Sequence, residues 1–143
     1  MVFDKNYTII VSSPYAENNR GFLYVFNGTL RHWSQVQKLL PADIGSGGYF
    51  GDYMALQQNR MVIGAKGVLG NSGAAYVYER EQGGVYWSRH SKLVARDFGA
   101  NNNFGAKLAL YGDTTVITAS NDDLPGLQSG SAYVFSGALA GSV

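Results

Sequence analysis

The sequence predicts an all-β protein made of β-propeller blades, each a sheet of four antiparallel strands, forming an incomplete, open propeller segment. One cassette is written three times, as Gly21-Phe-Leu-Tyr-Val-Phe26, Gly73-Ala-Ala-Tyr-Val-Tyr78 and Gly130-Ser-Ala-Tyr-Val-Phe135. Each copy follows a second cassette: Ile10-Val-Ser-Ser-Pro14, Ile63-Gly-Ala-Lys-Gly67 or Ile117-Thr-Ala-Ser-Asn121. Trp33, Phe50 and Ile63 recur as Trp87, Phe104 and Ile117, each 54 positions further on. Repetition at that length, with the hydrophobic pattern kept, marks stacked supersecondary modules. The 19 glycines and 10 tyrosines, against 3 prolines, favour short strands and tight turns over helices.

The middle unit is the reference for the elements. A first strand is expected at Gly51–Leu56, a tight turn at Gln57–Asn59 and a second strand at Arg60–Ala65. A Gly- and Asn-rich loop covers Lys66–Ser72, and a third strand runs Gly73–Arg80. After a polar turn at Glu81–Gly84, a fourth strand passes from Val85 through Trp87 toward Leu93–Ala95. In the third unit the strands are Phe104–Tyr111, Thr114–Ala119 and Gly130–Ser136, the first two joined by a Gly112-Asp113 hairpin turn. In the first unit Tyr7-Thr-Ile-Ile10 aligns with Arg60-Met-Val-Ile63, and most of the first strand is missing. The expected count is three, four and three strands, with residues 1–32 a partial blade, 33–86 a full repeat and 87–143 a repeat lacking its last strand. Tyr24, Tyr76 and Tyr133 recur at one blade position and read as core, with Trp33 and Trp87 packed between blades. Large and small side chains on opposite faces of each strand leave both sheet faces apolar, so each sheet must be covered by a neighbour. A ring of sheets does this while protecting the edges.

The order Trp…Lys-Leu…Ala…Asp, then Phe-Gly, then Ile-Gly-Ala, then Gly-x-Ala-Tyr-Val-Phe/Tyr resembles the FG-GAP repeat of integrin α-subunit-like β-propellers. The name-giving pairs are Phe50-Gly51 with Gly64-Ala65 and Phe104-Gly105 with Thr118-Ala119, the threonine being a departure. The resemblance covers roughly residues 7–136 and implies a propeller, commonly of seven blades, found in secreted or cell-surface proteins and used for interaction more than for chemistry. It also implies calcium loops of Asp-x-Asp-x-Asp-Gly type, and this sequence has no such run. Asp97 with Asn101, Asn102 and Asn103 is the nearest substitute, and turn-filling before a strand is the favoured reading of it. No metal or cofactor is therefore expected.

Eleven basic against ten acidic residues give a net charge of +1, which leaves no footprint for nucleic acid. Without cysteine there are no disulfides or thiol nucleophiles, and the redox compartment stays open. No apolar run is long enough to cross a membrane, and the first residues do not form a signal peptide. His32 and His90 sit near repeat tryptophans on outer strands of different blades, a poor start for a shared active site. Asp122-Asp123 are sequence neighbours and lack the opposed geometry of a hydrolytic carboxylate pair. Gly45-Ser-Gly-Gly48 lacks the Lys-Ser/Thr ending of a phosphate loop and reads as a flexible connection. The chain is accordingly read as no enzyme. The sequons Asn6-Tyr-Thr8 and Asn27-Gly-Thr29 suit glycosylation in a secreted eukaryotic protein, with Asn27-Gly28 better read as a hairpin turn.

Three loops occupy one position in successive blades and are expected to cluster on one rim. They supply the candidate binding residues Tyr15, Glu17, Asn19 and Arg20, then Lys66, Leu69 and Asn71, then Asn121, Asp122 and Asp123. Loops on a rigid scaffold are where binding usually sits. The leading expectation is a non-enzymatic interaction module of an integrin-α-like propeller. Its partners would be a protein or glycan, together with further blades from the same or another chain, since about 2.6 units cannot close a ring. Alternatives are a lectin-like module using rim aromatics such as Tyr15 and Tyr49, and the non-catalytic part of a propeller enzyme.

Overall fold

The structure, a computed structural model, describes residues 1–3, 7–97, 99–122 and 129–137. Three antiparallel sheets stack face to face. The first contains β1 (Val2–Phe3), β2 (Thr8–Ser13), β3 (Phe22–Gly28) and β4 (Trp33–Leu39). The second contains β5 (Met54–Gln57), β6 (Arg60–Ala65), β7 (Ala74–Glu79) and β8 (Ser88–Leu93). The third contains β9 (Phe104–Tyr111), β10 (Thr114–Ala119) and β11 (Ser131–Phe135). Strands in each sheet pair in chain order. None of the three closes into a barrel.

Alternation of faces makes the stack. In the second sheet Met61, Ile63, Tyr76 and Tyr78 point toward the first sheet and share a core with Ile10, Leu23, Val25 and Phe50. Their strand neighbours Val62, Ala75 and Val77 point the other way, into a core with Phe104, Leu108, Ile117 and Ala119 of the third sheet. Period-two alternation of side chains thus gives the central sheet two buried faces. Phe50 and Phe104 are fully buried, each meeting the ring of its own sheet's repeat tyrosine edge-on: Phe50 with Tyr76 at 5.7 Å between centroids and Phe104 with Tyr133 at 5.3 Å.

Several sequence expectations are corrected. The first sheet has four strands rather than three, because Val2 and Phe3 pair with Ile10 and Ile9. Its second strand is shifted by one residue from the expected alignment. Val11, not Ile10, lies opposite Tyr24, as Ile63 lies opposite Tyr76 and Ile117 opposite Tyr133. Residues 14–21 and 66–73, the β2–β3 and β6–β7 connections, are equal in length, so β2 and β3 align with β6 and β7 at an offset of 52 rather than 53. Strand β5 starts at Met54 rather than Gly51, since Gly51 turns at φ 88° and bonds across to Gly64 O before the ladder begins. Strand β8 spans only Ser88–Leu93, because Trp87 spends its N–H and C=O on the side chain of Gln37 in the first sheet.

Trp33 is the clearest exception to the packing expectation. Trp87 is 2 % exposed between the first two sheets, whereas Trp33, its repeat equivalent, is 43 % exposed, since no described residue stands where the first sheet stands for Trp87. Tyr24 and Tyr133 are only half-buried, while Tyr76 is fully buried in the central sheet.

Candidate functional site

Antiparallel topology sends the β2–β3 and β6–β7 loops, and the connections that lead into β5 and β9, to one rim. The first two of these loops are not irregular, as the sequence suggests. Each makes a short left-handed turn, α1 (Ala16–Asn19) and α2 (Val68–Asn71). Its residues are Glu17, Asn18 and Asn19 at φ 49°, 58° and 63°, and Leu69, Gly70 and Asn71 at φ 56°, 67° and 63°. Left-handed backbone is costly for every residue but glycine, and least so for asparagine.

The turns project three successive carbonyls into the next blade. Asn18, Asn19 and Arg20 accept from the N–H groups of Gly47, Tyr49 and Phe50 at 2.9, 2.8 and 3.1 Å. Gly70, Asn71 and Ser72 accept from Asn101, Asn103 and Phe104 at 3.3, 2.8 and 2.9 Å. The same three-bond staple therefore ties neighbouring blades twice. The Gly45–Gly48 stretch, expected as a flexible connection, is part of the first staple: Gly47 donates to Asn18, Ser46 Oγ donates to Asn18 O at 3.0 Å, and Gly67 donates to Gly48 O.

The candidate residues divide on this frame. Asn19 and Asn71 are equivalent staple positions, and Asn71 Nδ2 also donates to Asn101 Oδ1 at 3.3 Å. Arg20 Nε donates to Ile44 O at 2.7 Å and its guanidinium lies 4.0 Å from Glu17, which also meets Lys38 at 3.9 Å. Leu69 is 55 % exposed. In the third unit Asn121 N–H donates to Asn102 O, and buried Asp122 accepts from Tyr133 Oη at 2.7 Å and from Asn102 Nδ2 at 3.3 Å. Asp123 lies outside the described residues. Tyr133 Oη also lies 2.7 Å from Asp97 Oδ1, and burial together with these two carboxylates pushes its phenol above the ordinary tyrosine range. Among the described residues no group of three or more His, Asp or Glu is placed to hold a metal ion.

Tyr15, Tyr49, Lys66 and Asp52 meet where the first two blades join. The tyrosine rings are 6.0 Å apart between centroids and inclined at 78°. Lys66 Nζ lies 2.6 Å from Asp52 Oδ2 and 5.5 Å from the Tyr49 ring. The hydrogen bond to Asp52 raises Lys66 above the usual lysine range, and partial burial does not reverse this. Sequence reasoning missed Asp52. Its signal was a break in the repeat, since Ala106 stands at the equivalent position.

A family model described as the FG-GAP repeat matches residues 33–78 and 87–135. The chain belongs to the FG-GAP repeat family. No curated protein matches it. Each FG-GAP match opens on a repeat tryptophan, so it takes the outer strand of one sheet and the inner strands of the next. The Phe-Gly pair of the name lies against the preceding blade's staple, where Gly73 (φ 87°) comes so close to the Phe104 backbone that a Cβ has no room, and Gly21 (φ 85°) does the same at Phe50.

The opposite face of this FG-GAP segment carries two larger depressions. One, of about 460 Å³, lies among Gln58, Arg60, Arg80 and Asp113, and the other, of about 530 Å³, among Arg80, Tyr86, Arg89 and His90. Their charges largely satisfy one another: Arg60 pairs with Glu79 at 2.8 Å and Asp113 at 2.9 Å, and His90 lies 3.5 Å from Glu79. The two histidines of the sequence remain apart, His32 ahead of β4 and His90 within β8. No helix among the described residues is long and apolar enough to cross a membrane.

Proposed function

We propose that the chain is a non-enzymatic interaction module, a segment of an integrin-α-like propeller that offers the loops of one rim to a partner. One observation carries the reading. The first two rim loops are each clamped by three backbone hydrogen bonds to the next blade, so the exposed side chains of Tyr15, Glu17 and Leu69 and the half-buried Lys66 stand on a rigid frame rather than a mobile loop. Pre-ordered contact groups lose less entropy on binding. Further blades, from the same or another chain, are the second class of partner, since both outer sheets keep an apolar face uncovered by described residues. The extracellular space or cell surface is the setting implied by the integrin-like resemblance.

Paired rim and opposite-face variants test it. Proteins captured by the wild-type chain are compared with those captured by Tyr15→Ala/Lys66→Ala/Leu69→Ala and by Gln58→Ala/Tyr86→Ala/His90→Ala. The expected result is a saturable partner lost with the rim variant and kept with the other, at unchanged melting temperatures. Equal capture by the wild-type and rim variants would refute the rim reading.

A further inference from the structure

We infer that the corner formed by Tyr15, Tyr49, Lys66 and Asp52 at the junction of the first two blades binds a carbohydrate, a neutral pyranose ring laid against the tyrosines. The inference rests on the rim reading and narrows it to one junction and one ligand class.

The four side chains of the corner are not needed by the scaffold. The second junction is built with the same staple, and there the four positions are Gly67, Asn103, Ser120 and Ala106. Position 49 is the most telling. Tyr49 and Asn103 donate equivalent hydrogen bonds, both at 2.8 Å, and both hold left-handed backbone, at φ 54° and 56°. Asparagine tolerates that conformation, while a bulky aromatic residue there is an outlier that persists only when something else requires it. Tyr15 is likewise 67 % exposed, with its ring standing against Tyr49 rather than buried in a blade.

The chemistry of the corner selects the ligand. The exposed ring of Tyr15, steadied by the half-buried ring of Tyr49 inclined to it at 78°, suits the C–H face of a sugar ring, giving apolar contact at low cost in side-chain entropy. Beside them Lys66 and Asp52 form a donor and acceptor 2.6 Å apart, with side chains 35 % and 20 % exposed, so each keeps hydrogen-bonding capacity toward solvent. A pair of adjacent hydroxyls matches this arrangement: one oxygen accepts from the ammonium, and the other hydroxyl donates to the carboxylate. The two charges cancel, which gives no net attraction for an anionic or cationic peptide and leaves a neutral, hydroxyl-rich ligand favoured. Asp52 also lines a depression of about 240 Å³ with Met1, Ser12, Gly51, Tyr53 and Met54, to which the two tyrosines and Lys66 do not contribute.

Saturation-transfer NMR on the full chain with neutral tetrasaccharides of the cello, xylo, manno and galacto series tests the inference. Transfer to ring protons of at least one series is expected, with affinity lowered about tenfold or more in both Tyr15→Ala and Tyr49→Asn. Tyr49→Asn serves as the folding control, because it installs the residue the next junction already uses and is expected to keep or raise the melting temperature. No transfer from any of the four series, or transfer unchanged in both variants, overturns the inference. A protein partner lost in the rim variant while no sugar binds leaves the rim reading standing and removes this one alone.

Discussion

A methyl group added at Gly73 would overlap the carbonyl oxygen of Phe104, whereas one added at Gly130 meets nothing closer than 3.3 Å among the described residues. Both glycines start the same repeated strand and both have positive φ, 87° and 72°, so backbone strain alone predicts similar losses for the two alanine variants. The contact difference separates them. Gly130→Ala is expected to cost about 1 kcal/mol, the strain alone, and Gly73→Ala at least about 2 kcal/mol because the next blade must also move. Urea midpoints at constant slope measure this, and equal losses would mean that the Phe-Gly contact is not close. Tyrosines make a second prediction at this scale. Burial pushes Tyr78 up to about 12, with Arg89 opposing and Asp43 assisting, and burial also raises Tyr76 beside Asp43. An unfolded tyrosine titrates near about 10. A raised folded value means that the folded state keeps its proton longer, so this stabilisation is complete below about pH 10 and is lost as pH rises through about 12. In alkaline difference absorbance the ionisation of Tyr76 and Tyr78 is expected only together with loss of β-sheet circular dichroism. Simultaneous ionisation of all ten before unfolding would contradict it. At the scale of residues the sequence was legible where a position repeats, as at Tyr76 and Phe104. It was misleading at Trp33, whose burial depends on a neighbour rather than on its own cassette.

The left-handed turns are the elements that sequence patterning hid. Strands announce themselves by alternation, and all the longer ladders fall within a few residues of where alternation places them. A turn such as Val68–Asn71 has no periodicity to read, and only the recurrence of asparagine at Asn19 and Asn71 hinted at positive φ. The turn serves the staple: with this backbone the successive carbonyls of Gly70, Asn71 and Ser72 all accept hydrogen bonds from the next blade. This reverses the ordinary expectation for Leu69. Its side chain is 55 % exposed, so little apolar burial is lost on truncation, and its φ of 56° carries a left-handed cost of roughly 1–2 kcal/mol that glycine avoids. Leu69→Gly is therefore expected to leave stability unchanged or raise it by about 1 kcal/mol, read as a shift in melting temperature. A loss of more than about 1 kcal/mol would show that the turn is right-handed in solution or that Leu69 is buried there.

At the scale of the whole molecule the decisive asymmetry is between the central sheet and its two neighbours. Val62, Ala75 and Val77 are fully buried against the third sheet, and the matching positions in that third sheet, Val116, Ala132 and Val134, have no described residue over them, with Val134 68 % exposed. On the far side of the first sheet, Ile9, Val11, Tyr24 and Phe26 are half-buried where their counterparts Met61, Ile63, Tyr76 and Tyr78 are buried. Two-sided apolar sheets were legible in the sequence because the repeated inner strands, as in Ala74-Ala-Tyr-Val-Tyr78, alternate large and small side chains without a polar face. What covers the outer faces was not legible, because it is a property of the neighbour. Apolar surface of this kind drives association, and the repeated interface supplies a ready geometry for it. Taken alone, the chain is expected to self-associate in a concentration-dependent way, measured by sedimentation velocity. Val134→Lys should weaken that association about tenfold, the loss of one valine's burial, without lowering the melting temperature. Val77→Lys, the same change at the covered equivalent, should instead unfold the protein, because it buries an unpaired charge between two sheets. A chain that stays monomeric at high concentration, or a Val134→Lys variant that associates as strongly as the wild type, would mean that the third sheet's outer face needs no neighbour.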